Sequence, residues 1–398
     1  MPSHLYIHIP FCHRRCSYCD FNTYANLEDR IAAYVDALCA ELAMLAAAPL
    51  PPAPHSPAAA ALRPTIFFGG GTPTMLSLAQ FEQILNAADA LIPLAHAEIT
   101  SEANPGTVLD RDYLRGLRAL GVNRLSMGVQ SLDDPTLRLL GRIHSAAEAR
   151  QSYEQAREAG FTRLNLDFIF GLPGQSQAQW EATLATISTW QVDHFSLYSL
   201  ILEETTPLFA QVTAGRIIVP DDDATAAMYE AAISQLGAAG YTHYEISNWA
   251  REDADPVVDP QHPFPGQACH HNLAYWLNSD YLAAGAGAHG HLYPARYANL
   301  RGVDDYIRAV TSGQRPIAEH TPLSHADLCA ETMLMGLRLN QGVSTAHFAA
   351  RTGQPLAAVY GPVLADLAAQ GLIEQTSSHV RLTNRGRMLG NRVFERFL

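Results

Sequence analysis

In its first two hundred residues this chain alternates six short apolar strand patterns with five helical ones. Leu5–Ile9, Thr65–Phe68, Ala97–Ser101, Val122–Val129, Thr162–Ile169 and Phe195–Leu200 read as strands. Ile31–Ala48, Leu78–Leu91, Asp110–Leu120, Ser145–Gly160 and Ala178–Trp190 read as the helices between them. Strands alternating with helices predict a parallel sheet with right-handed crossovers. The expected fold is therefore α/β, a partial barrel of six β/α units. Clean units stop after the sixth strand, so a full eight-unit barrel is not expected. Folds of this kind carry their chemistry on the loops after the strands.

Beyond residue 220 the pattern changes. Ala224–Gly240 reads as helix and Tyr241–Ser247 as one more strand, while the proline-rich stretches 49–64 and 251–266 read as loops. From about Thr321 two helical stretches, Ala326–Leu339 and Leu356–Gln370, precede a hairpin near Ile373–Gln375 and Val380–Leu382, an order similar to a winged helix. The expected division is 1–220 for the barrel, 221–320 for an extension and 321–398 for the C-terminal unit. That unit holds seven arginines against five acids, too small an excess for DNA, so a packing or lid role is expected.

Composition narrows the function. The chain of 398 residues is 48% hydrophobic and 16% charged, which suits a folded protein. Its net charge of −13 argues against a nucleic-acid partner. All 26 basic residues are arginine, which excludes a Schiff-base lysine, a P-loop lysine and a kinase lysine. No apolar run reaches the roughly 18–20 residues of a membrane span. The N-terminus lacks the order of a signal peptide, so the cytoplasm is the expected location.

Three of the six cysteines fall within eight residues, Cys12-His13-Arg14-Arg15-Cys16-Ser17-Tyr18-Cys19, directly after the first strand. Cys39 and Cys329 read as buried small residues on helices. A disulfide framework belongs to short secreted chains and does not fit. Three thiolates at this spacing suit three irons of a [4Fe–4S] cluster, leaving the fourth iron open for a small molecule. Arg14 and Arg15 favour the thiolate form. The rival is structural zinc with His8 or His13 as fourth ligand, but zinc sites usually bring two separated ligand pairs and no second pair is present.

Polar residues gather at the other strand ends. Gly69-Gly70-Gly71-Thr72-Pro73 follows strand two; taken alone a glycine run is a turn, but its place beside the cysteine loop favours a ligand contact. Glu102 ends strand three and Gln130 strand four, Arg142 lies just beyond, and Asn165 and Asp167 share one face of strand five. Any one of these suits a structural hydrogen bond; several at successive strand ends suggest one pocket, because polar groups turned into a barrel are costly without a partner.

The C-x3-C-x2-C triplet within His8-Ile9-Pro10-Phe11-Cys12 resembles the radical S-adenosylmethionine (SAM) superfamily and, within it, the oxygen-independent coproporphyrinogen III oxidase group. The resemblance implies that the open iron chelates SAM and that an electron from the cluster can split it into methionine and a 5′-deoxyadenosyl radical. It implies SAM contacts from Tyr6, Tyr18, Gly70, Gly71, Thr72, Glu102, Gln130, Arg142 and Asp167, with acids toward the ribose and Arg142 toward the carboxylate. A sixth-strand contact is expected near Leu200 and Ile201, and Phe170-Gly171-Leu172-Pro173-Gly174 also matches the group.

Three further segments resemble the haem-chaperone branch of that group: His271-Asn272-Leu273-Ala274-Tyr275-Trp276, Gly285-Ala286-Gly287-Ala288-His289 and Gly336-Leu337-Arg338-Leu339. The resemblance implies that haem is a ligand and haem-accepting proteins are partners, with His271 the expected iron ligand and His270, His289 and His291 nearby substitutes. From the residues alone, this segment reads equally as packed aromatics around a hydrogen-bonded histidine. The oxidase carries a fourth cysteine two positions after the triplet, where Phe21 stands here, and a long N-terminal arm, whereas the first strand here starts within five residues of Met1. A haem chaperone that keeps the cluster and SAM apparatus is the expected function. Oxidative decarboxylation of coproporphyrinogen III is the alternative, and radical haem cleavage or methyl transfer a third class.

Overall fold

The computed structural model describes residues 2–49, 57–106, 110–252 and 264–398. The loops expected at 49–64 and 251–266 lie partly outside these, over 50–56 and 253–263. Six parallel strands form as expected: β1 (His4–Ile9), β2 (Thr65–Gly70), β3 (Glu98–Ala103), β4 (Arg124–Gln130), β5 (Leu164–Phe170) and β6 (His194–Ser199). Three more strands complete a nine-stranded sheet: β7 (Thr242–Glu245), β8 (Asn248–Ala250) and β9 (Leu282–Ala284), in the order β9-β1-β2-β3-β4-β5-β6-β8-β7. β9 joins β1 in parallel, and β8 joins β6 in antiparallel. The strand expected over Tyr241–Ser247 is thus the first half of a β7–β8 hairpin, and the sheet runs past residue 220.

The strands alternate strictly. Leu5, Ile7 and Ile9, Ile66 and Phe68, Leu125, Met127 and Val129, Leu164, Leu166 and Phe168, and Phe195 and Leu197 face outward and are buried against helices. The opposite face carries His4, Tyr6 and His8, Thr65 and Phe67, Glu98, Thr100 and Glu102, Arg124 and Ser126, Asn165 and Asp167, and His194 and Ser196. A period of two makes this separation automatic. The apolar face secures the fold, and the polar face lines a lumen.

The connecting helices begin on capping residues. Ser77, Ser145 and Ser176 form capping boxes with Gln80, Glu148 and Gln179, and Asp110 and Asp221 cap the helices that follow them. These caps satisfy amides that the first helical turn leaves open.

A small antiparallel sheet, β10 (His289–Leu292), β11 (Ala295–Asn299) and β12 (Ile317–Pro322), leads out of the barrel. The C-terminal residues form a separate apolar core around Met333, Phe348, Leu367 and Val380. Helices His325–Gly336, Thr345–Thr352 and Leu356–Ala369 pack with β13 (Val343–Ser344), β14 (Ile373–Gln375) and β15 (His379–Leu382). The middle helix and β13 were not anticipated; they complete the winged-helix order.

Candidate functional site

The cysteine loop leaves β1 and crosses the mouth of the barrel. Cys12 is buried, Cys16 and Cys19 are half-buried, and none of the three forms a disulfide. The loop is fixed from below by the glycine run. Gly71 N–H donates to the Ile9 carbonyl at 2.8 Å and Thr72 N–H to the Phe11 carbonyl at 2.7 Å. A Cβ on Gly71 would lie 2.4 Å from the Phe11 oxygen, so this approach requires glycine. On the other side Ser17 N–H donates to the Leu140 carbonyl at 2.9 Å. The Thr72 hydroxyl contacts Cys12 Sγ at 3.8 Å and an Arg142 N–H contacts Cys16 Sγ at 3.6 Å. Burial pushes the Cys12 thiol up to about 11 and also raises Cys19.

The donor set fits iron–sulfur chemistry better than zinc. His8, a candidate zinc ligand, has both ring nitrogens engaged, Nε2 with the Asn22 carbonyl at 2.9 Å and Nδ1 with the Tyr6 hydroxyl at 2.9 Å. Among the described residues no three His, Cys, Asp or Glu side chains converge to hold a single ion. A mononuclear cage needs such convergence, whereas a four-iron cube takes one thiolate per iron.

The strand ends behind the loop bring the polar residues together. Glu102 accepts the Gly70 N–H at 3.0 Å. Asp167 accepts from Asn165 at 2.7 Å and from Ser126 at 3.3 Å. Burial raises both acids, Glu102 to about 8 with Asp167 adding to the effect, and Asp167 to about 6. Both shifts come chiefly from burial in the lumen wall, which outweighs the hydrogen bonds each carboxyl accepts. Arg142 donates to Asn104 Oδ1 at 2.6 Å and to the Gly128 carbonyl, but its Nε–H has no partner. Thr100 Oγ1, also turned into the lumen, is likewise unpartnered. These open groups fit an amphoteric nucleoside with amino, carboxylate and ribose groups. Gln130 ends β4 with φ at 69°, in the left-handed region. Tyr18 packs against an apolar group that includes Leu140, Leu172 and Leu208.

Two expected residues stand in surroundings that the sequence did not show. Ile201, expected near a sixth-strand contact, is 67% exposed, and the sixth strand reaches the lumen through Ser196 and Tyr198 instead. His271, the expected haem ligand, is buried in the lumen wall. Its Nδ1 meets the Thr65 hydroxyl at 2.7 Å and its Nε2 the Tyr275 hydroxyl at 2.9 Å, while its ring stacks on Phe67 at 5.0 Å. Burial, with His4 beside it, pushes His271 down to about 3. An axial bond from this ring requires one of these two hydrogen bonds to open. The H-N-x-x-Y-W segment is itself anchored from below. Glu98 accepts the His270 N–H at 2.8 Å and pairs with Arg124 at 3.1 Å, both side chains almost wholly buried. Burial alone would raise Glu98; Arg124, His270 and Arg163 outweigh it and hold the carboxyl near 2.

The lumen below the strand ends encloses about 260 Å3. Asn272 and Tyr275 of the H-N-x-x-Y-W segment line it, with Asn248 and His194, which were missed in the sequence, as was Asn104, which joins Arg142 to the Thr72 hydroxyl at 2.7 Å. The alternation Arg124-Leu125-Ser126-Met127 was the available signal for a polar interior.

This fold and site define a radical SAM protein. The radical SAM superfamily model matches residues 6–187 and the HemN C-terminal domain model residues 323–389. A solved structure of coproporphyrinogen III oxidase HemN from Escherichia coli, described as a radical SAM enzyme, superposes with a TM-score of 0.79 at 25% identity, covering 99% of this chain and 89% of that one. The heme chaperone HemW of Bacillus subtilis is 37% identical over 395 residues, 99% of this chain and 98% of its own. HemW of Mycobacterium tuberculosis H37Rv is 34% identical over 404 residues, 100% and 95% respectively. The chain belongs to the HemW family of heme chaperones.

Proposed function

We propose that this protein binds haem and passes it intact to acceptor proteins, while holding a [4Fe–4S] cluster on Cys12, Cys16 and Cys19 and SAM at the strand ends. The observation that carries the haem reading is the end-to-end similarity to HemW chaperones. The thiol triplet, the glycine cradle and the partnerless Arg142 and Thr100 groups support the cluster and SAM. When bound, the cluster supplies one-electron chemistry toward SAM. The chain's own part is to position: Gly71 and Thr72 seat the cysteine loop, Glu102 and Asp167 present acceptors to hydroxyls, and Arg142 offers N–H groups to a carboxylate. All six cysteines are free of disulfides, which fits a cytoplasmic location. No helix among the described residues is long and apolar enough to cross a membrane.

The test is anaerobic reconstitution followed by two assays. The reconstituted chain should hold about four irons, lost when all three cysteines become alanine. It should bind haem and release it unchanged to a haem-free acceptor. Catalytic conversion of coproporphyrinogen III to protoporphyrinogen with SAM and a strong reductant would establish oxidase activity instead, the reading favoured by the superposition on HemN. Asp167→Ala should weaken SAM binding by about 1–3 kcal/mol through a lost buried hydrogen bond; unchanged affinity would remove Asp167 from the site.

A further inference from the structure

Three arginines stand exposed around the cysteine loop, with Asp20 the acid that directly follows Cys19. Arg14 and Arg15 in the loop and Arg138 at the end of helix Asp134–Leu139 are exposed, and none has an ion-pair or hydrogen-bond partner among the described residues. Exposed arginines elsewhere, such as Arg30, Arg111, Arg150 and Arg381, each pair with a carboxylate. Arg216 and Arg392 are exposed without such a partner elsewhere among the described residues; what distinguishes Arg14, Arg15 and Arg138 is that all three lie around one loop.

These residues are held close together. A Cβ on Gly141 would lie 3.5 Å from Cys16 Cα and 3.8 Å from the Arg15 carbonyl oxygen, so the loop after the helix runs directly against the cysteine loop. A shallow hollow between them is lined by His13, Arg14, Cys16, Asn104, Arg142 and Ile143, with no acidic side chain. Two large apolar residues stand in the open nearby, Ile143 at 47% exposure and Phe21, two residues after Cys19, at 65%. The His13 imidazole is exposed in the same loop.

We propose that this patch is the haem-docking surface, with the propionates on Arg14, Arg15 and Arg138, the macrocycle against Ile143 and Phe21, and the iron toward His13. The proposal rests on the chaperone reading and deepens it. Haem is a flat apolar ring with two carboxylates at one edge and a metal that takes imidazole. The patch offers a counterpart to each part. Guanidinium groups bind carboxylates in a forked geometry and bring charge attraction that speeds encounter. The lumen does not compete: about 260 Å3 falls below the roughly 300–1,000 Å3 of pockets that enclose drug-sized ligands, and its histidine is engaged. An open, shallow surface also suits a carrier, because affinity differences reside mostly in the rate of release.

The test titrates haem into the reconstituted holoprotein and reads both affinity and the Soret band. Arg14→Glu/Arg15→Glu should lower affinity at least tenfold, and His13→Ala should shift the Soret band. Arg138→Glu, outside the cysteine loop, repeats the charge test if the double variant loses iron, and should lower affinity severalfold. Arg308→Glu on a remote helix should change neither readout. Wild-type affinity in both charge-reversal variants, with haem bound normally by the parent, overturns the proposal. Unaltered haem binding with slower transfer to the acceptor also overturns it and assigns the patch to an acidic protein partner. Absence of haem binding in the parent chain refutes the chaperone reading itself.

Discussion

Glu102 and Asp167 make the protonation state of the lumen a property of the fold. A carboxyl raised from its ordinary 4.5 to about 8 takes up a proton on folding, so Glu102 costs stability as pH rises between those values. The buried histidines act in the opposite sense, but only up to their ordinary 6.5. Above about pH 7 the Glu102 contribution persists beside those of the likewise raised Glu41 and Glu245, and comparison with the Gln variant isolates it. The stability of the cofactor-free chain relative to Glu102→Gln should fall between pH 7 and 8.5, measured by urea denaturation; a flat difference would show that Glu102 is ionised throughout. The residue scale also explains what was readable. The cysteine triplet is contiguous, so its spacing declared it. His194, Asn248 and Asn272 meet only when the sheet curves, and no local spacing joins them. His271 was singled out by a distinctive segment, but only tertiary contact reveals that Thr65 and Tyr275 hydrogen-bond its nitrogens.

Among the elements, serine and aspartate caps precede the helices that follow β2, β3, β4 and β5, whereas Ile31–Ala47 starts without a side-chain cap. Ser145→Ala, which removes one half of a capping box, should cost about 1 kcal/mol in denaturant unfolding. The loop supports are less forgiving. Gly71→Ala forces a Cβ into the Phe11 carbonyl and should displace Cys12, lowering the iron retained after reconstitution while circular dichroism stays native. Full iron loading in that variant would mean that the loop can shift without loss. β7 was read within Tyr241–Ser247, but β8 and β9 were illegible for a different reason. Each has only three residues, too few to display a period, and β9 reads as an Ala/Gly segment whose partner strand lies at the other end of the barrel sequence.

The whole molecule depends on a buried tie between its C-terminal unit and the segment that leads into the small sheet. Arg351 meets Asp280 at 2.6 Å with side chains 2% and 1% exposed. Burial raises the Asp280 carboxyl despite that contact, and Asp280 Oδ2 and Arg351 Nε have no partner. The pair is therefore strained by desolvation. Removing one member strands the other, so Arg351→Met should cost about 3–5 kcal/mol, whereas Asp280→Leu/Arg351→Met together should recover most of it. Equal losses in the single and double variants, measured by denaturation, would show that the pair is a net source of stability. The winged-helix order was half visible at this scale: the long helices and hairpin stood out, while the short middle helix Thr345–Thr352 did not.

The pairing of Leu5 with Leu282 has a temporal consequence. A ribosome delivers the strand that covers the open edge of β1 hundreds of residues after the cysteine loop. The loop after it, through the Ala286 carbonyl, receives the Asn22 amide at 3.0 Å. Until then the nascent chain presents an unpaired parallel edge and an unsecured loop, and so high a contact order slows the final closure. Productive metal loading accordingly belongs after β9 has emerged and paired with β1, well after the cysteine loop itself has been made.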